Sequence, residues 1–328
     1  MEEDGRIVCV TGGTGYIASC LVMRLLEHGY FVRATVRSDP DCNRDIRYLT
    51  DLPGAAERLQ IFNADLNQPD SFEAAIQGCM GVFHVAHPMD VQGKEPEEIV
   101  TKRAVDGLQG ILKASLNCKT VKRVVYTSTA AAILYNTKGL SVNDESIWSD
   151  LDLCRGNELI SMSYLGSKIV AEMTALEFAE RHELEVVTLV LPLVVGPFIC
   201  SNMPPSVYIL LTMILGKQDD YKYLFGSYNM VHIDDVANAH IFLLEHPDAN
   251  GRYICSSVYI SVHAMFEYLS TKYPEFELLA IDRLKDFKGQ MRSKLSSTKL
   301  LNSGFKFKYS IDQIFSGAIQ SCKDRGIL

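Results

Sequence analysis

The chain predicts an α/β fold: a doubly wound parallel sheet with a smaller mixed C-terminal lobe. Three observations carry this. Apolar runs of strand length alternate with helical patterns through the first two-thirds, the order that places crossover helices on both faces of a parallel sheet. A glycine-rich turn, Gly12-Gly13-Thr14-Gly15, joins the first run to the first helical pattern. Beyond Gly196-Pro197 the alternation breaks into Met203-Pro204-Pro205-Ser206, an apolar helical stretch, the polar loop Lys217-Gln218-Asp219-Asp220, and short mixed elements.

The first strand, residues 6–11, contains Ile7-Val8-Cys9-Val10, and the first helix, 14–28, contains the amphipathic Leu21-Val22-Met23-Arg24-Leu25-Leu26. Strand, glycine turn and helix in that order suit a dinucleotide pyrophosphate. The turn brings bare backbone close, and the helix N-terminus offers unpaired N–H groups at its positive end. The spacing is Gly12-x-x-Gly15-x-x-Ala18, with Tyr16 and Ile17 on the first helical turn and Ala18 small enough for the helix to pack on the strand. The second strand, 31–36, runs into Arg37. An acid there would take the ribose hydroxyls of NAD, whereas Arg37, helped by Arg44, suits the 2′-phosphate of NADP(H). Asp39 nearby keeps NAD(H) as the second choice.

A third strand (59–63), a helix (69–78), a fourth strand (81–86) and a helix (96–116) follow. The fifth strand, 122–128, leads into Thr127-Ser128-Thr129. Hydroxyls at the C-terminal end of a parallel strand face the crevice where such sheets bind ligands. The next helix, 160–182, carries Tyr164-x-x-x-Lys168, and a sixth strand spans 185–191. Four residues are about one helical turn, so phenol and ammonium share a face. The ammonium is expected to lower a phenol pKa of about 10, letting Tyr164 exchange a proton with a carbonyl or alcohol.

Glycine turn, strand-end hydroxyls and Tyr-x-x-x-Lys in that order resemble the extended short-chain dehydrogenase/reductases, above all the plant branch of dihydroflavonol 4-reductase and vestitone reductase. The resemblance runs nearly end to end, through Arg33–Arg37, Gly81–Ala86, Asp144–Ser149, Leu193–Phe198, Val231–Val236 and Gly251–Ser256. Ala18 and Ser38-Asp39-Pro40 are also similar to noscapine synthase. The resemblance implies an extended Rossmann fold, with residues 1–196 as the NADP-binding domain, 229–256 returning to it, and 197–328 mainly a substrate-binding lobe. It implies that Asp65 meets the adenine amino group and Leu66 its ring. Val85 and Ala86 line the cofactor, and Pro192 and Val194 edge the nicotinamide. Tyr164, Lys168 and Thr129 are the implied catalytic set. Where the plant reductases read Thr-Ser-Ser, this chain has Thr127-Ser128-Thr129, and Thr129 is assigned the carbonyl-binding role ahead of Ser128. His87, Leu134 and Ser206 are substrate candidates. Leu134 stands where dihydroflavonol reductases carry an Asn, so the pocket reads as apolar beside Ala130, Ala131, Ala132 and Ile133.

The expected reaction is NADPH-dependent reduction of a ketone or aldehyde on an aromatic plant metabolite. Oxidation of an alkaloid alcohol or lactol is the alternative, and a non-catalytic NADP-binding regulator the alternative of another class. Lys and Arg total 32 against 40 Asp and Glu, a formal charge of −8 without a basic tract, which argues against nucleic acid as a partner. Nine cysteines lie scattered without metal-ligand spacing, so no metal is expected, and a reducing compartment fits. The acidic start, Met1-Glu2-Glu3-Asp4, does not read as a targeting segment, and no apolar stretch is long enough to span a bilayer. A cytoplasmic enzyme is expected, with a small aromatic substrate and other pathway enzymes as partners. His232, Asp234 and Asp235 read as a helix start rather than a reactive cluster.

Overall fold

The structure is a computed structural model that describes residues 6–37, 45–88, 95–154, 162–215, 224–278 and 291–328. Strands β1 (Ile7–Val10), β2 (Phe31–Val36), β3 (Leu59–Asn63), β4 (Gly81–His84), β5 (Arg123–Thr129), β7 (Glu185–Leu191) and β10 (Gly251–Ile254) form a seven-stranded sheet. Its order is β10-β7-β5-β4-β1-β2-β3, and every neighbouring pair is parallel. The chain winds outward from β1 to β3, then restarts at β4 on the other side of β1. The switch point therefore lies between β1 and β4, where parallel sheets open a crevice at their C-terminal ends.

Both faces are covered, as the near-continuous apolar runs require. Helix α1 (Tyr16–Glu27) and helix α5 (Ile233–Glu245) cover one face, burying Val8, Val10, Ala34, Phe83, Val125 and Val187. The long helices α2 (Glu97–Asn117) and α3 (Met162–Arg181) cover the other, over Cys9, Val82, Val124 and Tyr126. Adjacent strand residues thus serve opposite cores.

Pro192 ends β7 in the main sheet, and β8 (Leu193–Val195) belongs to a second sheet with β9 (Ser227–His232) and β11 (Val258–Ser261). Helices α4 (Pro205–Leu215), α6 (Val262–Lys272) and α7 (Ile311–Asp324) belong to the same lobe, where Leu210, Met230, Met265 and Phe315 share a buried core. The sequence places residues 229–256 on the main sheet. In the structure β9 stays in the lobe, and α5 and β10 re-enter the main body. A short pair, β6 (Val142–Asn143) with β12 (Lys294–Leu295), ties the two parts together. The eight cysteines among the described residues are free and buried. Among the described residues no helix is long and apolar enough to cross a membrane, and no cluster of three metal-ligating side chains occurs.

Candidate active site

The glycine turn sits at the switch point. Gly12 has φ +72°, and a Cβ there would lie 3.0 Å from the Ala86 Cα at the end of β4. At Gly13 a Cβ would lie 3.0 Å from the Ala34 Cβ on β2, so only bare backbone fits between the three strand ends. Gly12 N–H donates to Thr35 Oγ1 at 3.2 Å and Gly13 N–H to the Thr35 carbonyl at 2.8 Å. Gly15 caps α1 without any side-chain bond, and the first turn of α1 holds no acid. A helix start left in that state suits an anion. Ala18 is fully buried, Tyr16 turns its hydroxyl to the Gly196 carbonyl at 3.2 Å, and Ile17 packs against the core.

Thr11 fixes the opposite wall. Its Oγ1 accepts the Val85 and Ala86 amides at 3.1 and 3.0 Å and lies 2.9 Å from His84 Nδ1. With both lone pairs engaged, the hydroxyl proton goes to Nδ1, so His84 carries its own proton on Nε2. Burial and the nearby Lys168 bring His84 down to about 3, keeping it neutral.

Arg37 is exposed just beyond β2, whereas Arg44 lies outside the described residues. Asp65 Oδ1 accepts from the Asn67 amide and side chain at 2.9 and 3.0 Å, a local turn that uses one of its two oxygens. Leu66 packs beside Gly107 of α2, where its Cδ2 would lie 2.6 Å from an added Cβ.

Tyr164, Lys168 and Thr129 come together at the C-terminal end of β5. The Thr129 hydroxyl is near enough to the Tyr164 phenol to oppose the rise that burial gives its pKa. Lys168 Nζ, buried, donates to the Thr127 carbonyl at 2.8 Å and stands 5.1 Å from the centre of the Tyr126 ring. Burial lowers Lys168 to about 7, opposed by Glu172. The phenol departs from the sequence expectation: burial raises the Tyr164 pKa, and the Thr129 hydroxyl only moderates the rise. With its ammonium turned to a strand carbonyl, Lys168 does not offset the phenol's loss of hydration. Tyr164 therefore rests protonated.

Ser128 points the other way. Its hydroxyl donates to Glu172 Oε2 at 2.6 Å, inside a buried network that also holds Thr188 and Arg252. His87 Nε2 lies 2.9 Å from Ser167 Oγ, and that hydroxyl donates to the Tyr164 carbonyl at 3.0 Å. Ser167 has one proton, so it accepts from His87 Nε2–H, and Nδ1 holds the lone pair. The imidazole stands perpendicular to the Tyr164 ring at 5.4 Å. Burial, then Lys168 and His84, push its pKa well down, so His87 is neutral beside the phenol.

The remaining substrate candidates are less available. Ser206 donates its hydroxyl to the Val194 carbonyl at 2.6 Å, so helix α4 is tied to β8 through a group that sequence reasoning offers to substrate. Leu134 is half-buried against Ala130, Ile133, Val190 and Ile254. Ala131 and Ala132 instead pack with Leu165 and Ile169, a cluster that Tyr135, Trp148 and Tyr164 flank. Pro192 is partly exposed and Val194 buried at the exit from β7. His232 caps α5 by accepting the Asp234 amide at 3.1 Å. Asp234 pairs with Arg24, and Asp235 accepts the Lys308 and Tyr309 amides, so this trio is structural.

Sequence reasoning misses Thr11, Ser167, Glu172 and Arg252. Glu172 carries a signal, because Tyr164, Lys168 and Glu172 repeat every four residues on one helix face. Arg252 carries none, being brought to Glu172 only by the pairing of β10 with β7.

A sequence profile of the NAD dependent epimerase/dehydratase family matches residues 8–255. The chain is 58% identical to Protein BRI1-5 ENHANCED 1 of Arabidopsis thaliana, over 100% of this chain and 91% of that protein. It is 50% identical to vestitone reductase of Medicago sativa, over 100% of this chain and 99% of that protein. Noscapine synthase SDR1 of Papaver somniferum is 49% identical over 100% of this chain and 95% of that protein. The crystal structure of alfalfa vestitone reductase superposes with a TM-score of 0.89 at 48% identity, covering 98% of this chain and 99% of that one.

Proposed function

Because the chain belongs to the NAD dependent epimerase/dehydratase family, within the extended short-chain dehydrogenase/reductases, we propose that it is an NADP(H)-dependent oxidoreductase. The reaction is reduction of a ketone or aldehyde on a small aromatic plant metabolite, with an isoflavanone of the vestitone type as the first substrate to try. The observation that carries the reading is the half-buried Tyr164 phenol, near the Thr129 hydroxyl at the C-terminal end of β5 and one helical turn from the buried Lys168, which donates to the Thr127 carbonyl.

The residues fit the cofactor. Gly12 to Ala18 offers bare backbone and an uncapped helix start to a pyrophosphate, Arg37 is exposed where a 2′-phosphate would lie, and Val85 and Ala86 form the facing wall. When bound, the reduced nicotinamide supplies hydride to the carbonyl carbon. Thr129 and Tyr164 hold the carbonyl oxygen between two hydroxyls, and Tyr164 delivers the proton as charge develops there. Lys168 would hold the nicotinamide ribose with the donors left after Thr127. A protonated phenol at this position can deliver the proton that reduction of a carbonyl requires.

The substrate is a finer matter. Protein BRI1-5 ENHANCED 1, at 58% identity, carries a name that states no reaction, so vestitone is a starting point chosen on the 50% relative. The test is a panel of aromatic ketones, aldehydes, alcohols and lactols, followed by NADP(H) and NAD(H) absorbance in both directions. NADPH consumption with one carbonyl chemotype is the expected outcome. Tyr164→Phe should abolish that turnover and leave NADPH affinity within about twofold, since it removes the proton and not the cradle. Turnover surviving in Tyr164→Phe would overturn the mechanism.

A further inference from the structure

Glu172 is fully buried and lies one turn beyond Lys168 and two beyond Tyr164 on α3. Its carboxylate accepts from Ser128 Oγ and Thr188 Oγ1, both at 2.6 Å, and pairs with Arg252 Nε at 3.0 Å and Nη2 at 3.3 Å. Arg252 is anchored in turn by donating to the Glu145 and Ile147 carbonyls and stacking on Trp148 at 3.7 Å. Through Glu172 the pair lies on the same helix face as the reacting groups. It also reaches the residue preceding Thr129.

We propose that Glu172 is a positioning residue for the Tyr164/Lys168 pair. Its carboxylate is the counter-charge that keeps the buried Lys168 an ammonium, and its bond from Ser128 fixes the end of β5 so that Thr129 faces Tyr164. The inference rests on the functional reading above. Burial drives a lysine toward the neutral amine, and only an anion in the same low-dielectric space opposes that.

The surroundings of Lys168 supply few alternatives. On α3 it shares a helix face with Tyr164 and Glu172, and on β5 it meets the Tyr126 ring and the Thr127 carbonyl. From the end of β4 come His84 and His87, both neutral, and across α2 Glu97 lies against Gly166. Of these, Glu172 is the group whose charge favours the ammonium.

Fluorescence titration of NADPH against pH tests this without a substrate. Between about pH 6 and 9 the two histidines stay neutral and Tyr164 stays protonated, so the wild-type affinity should fall as Lys168 loses its proton. In Glu172→Gln the midpoint should move down by about one pH unit, making binding up to about tenfold weaker above it. Glu172→Gln leaves Arg252 unpaired and risks poor folding, so the double variant E172M/R252M removes both charges together. A buried pair replaced by apolar groups is often tolerated. It should show a downward shift smaller than that of Glu172→Gln, because a cation leaves with the carboxylate, while Glu172→Asp, which keeps the charge, should retain the wild-type midpoint. A folded E172M/R252M or Glu172→Gln protein with an unmoved midpoint overturns the inference alone. Wild-type protein that binds no NADPH at any pH overturns the functional reading and this inference with it.

Discussion

Ser128 and Thr129 are neighbours on one strand and do different work. Because side chains alternate across a strand, Ser128 enters the Glu172 network while Thr129 reaches Tyr164. Their substitutions should separate accordingly. Thr129→Val removes a donor at the carbonyl oxygen and should lower turnover by about 10²-fold with an unchanged melting temperature, and Thr129→Ser should restore it. Ser128→Ala takes a hydrogen bond from a buried carboxylate and should cost about 1–3 kcal/mol in thermal unfolding. Lys168 brings stability and activity into conflict. Its folded pKa of about 7 lies below the unfolded value of about 10.4. Between the two, the unfolded chain binds the extra proton, so stability rises with pH, and the cost of the buried ammonium is present in full below about pH 7. Lys168→Met should therefore melt higher than wild type at acidic pH while losing turnover; a lower melting temperature there would refute this. The Tyr-x-x-x-Lys pair and the strand-end hydroxyls were legible in the sequence because each is a local spacing. The protonation of Tyr164 was not, since it depends on burial by segments far away in the chain.

At the scale of elements, the close approaches are made by glycine. Gly12→Ala would place a side chain at φ +72° and against the Ala86 Cα, a conformational cost of about 1–2 kcal/mol before any contact is counted. It should weaken NADPH binding along with stability. On α2, a Cβ at Gly110 would lie 2.9 Å from the Pro69 Cα and carbonyl oxygen, both backbone, so α2 would have to move. Gly110→Ala should destabilise by about 1–3 kcal/mol despite the better helix propensity of alanine. On α3, the obstacle to a Cβ at Gly166 is the Glu97 carboxylate, the end of a flexible side chain. Gly166→Ala should melt closer to wild type than Gly110→Ala, and the reverse order would contradict the packing argument. The parallel strands were legible because burial on both faces makes them continuous apolar runs. The departure came at Pro192: a single residue that cannot donate to the ladder sends β8 into the lobe sheet, a switch that strand periodicity does not record.

For the molecule as a whole, the chain leaves the main sheet at Pro192, returns through α5 and β10, and leaves again at β11. Arg123 at the start of β5 reinforces the return, donating to the Leu243, Leu244, His246 and Pro247 carbonyls at the end of α5 and pairing with Glu185. With so many crossings, sheet and lobe should unfold in one calorimetric transition, raised by NADPH at 100 times its dissociation constant by about 2.7 kcal/mol. Two separated transitions would contradict this. The free cysteines then acquire a use that has nothing to do with catalysis. Cys9 and Cys20 lie under opposite faces of the sheet, and Cys322 lies in the lobe core, each hidden from reagent while the fold is closed. They form a built-in clock for breathing: labelling each thiol by mass spectrometry would time the opening of its own compartment, with no probe introduced.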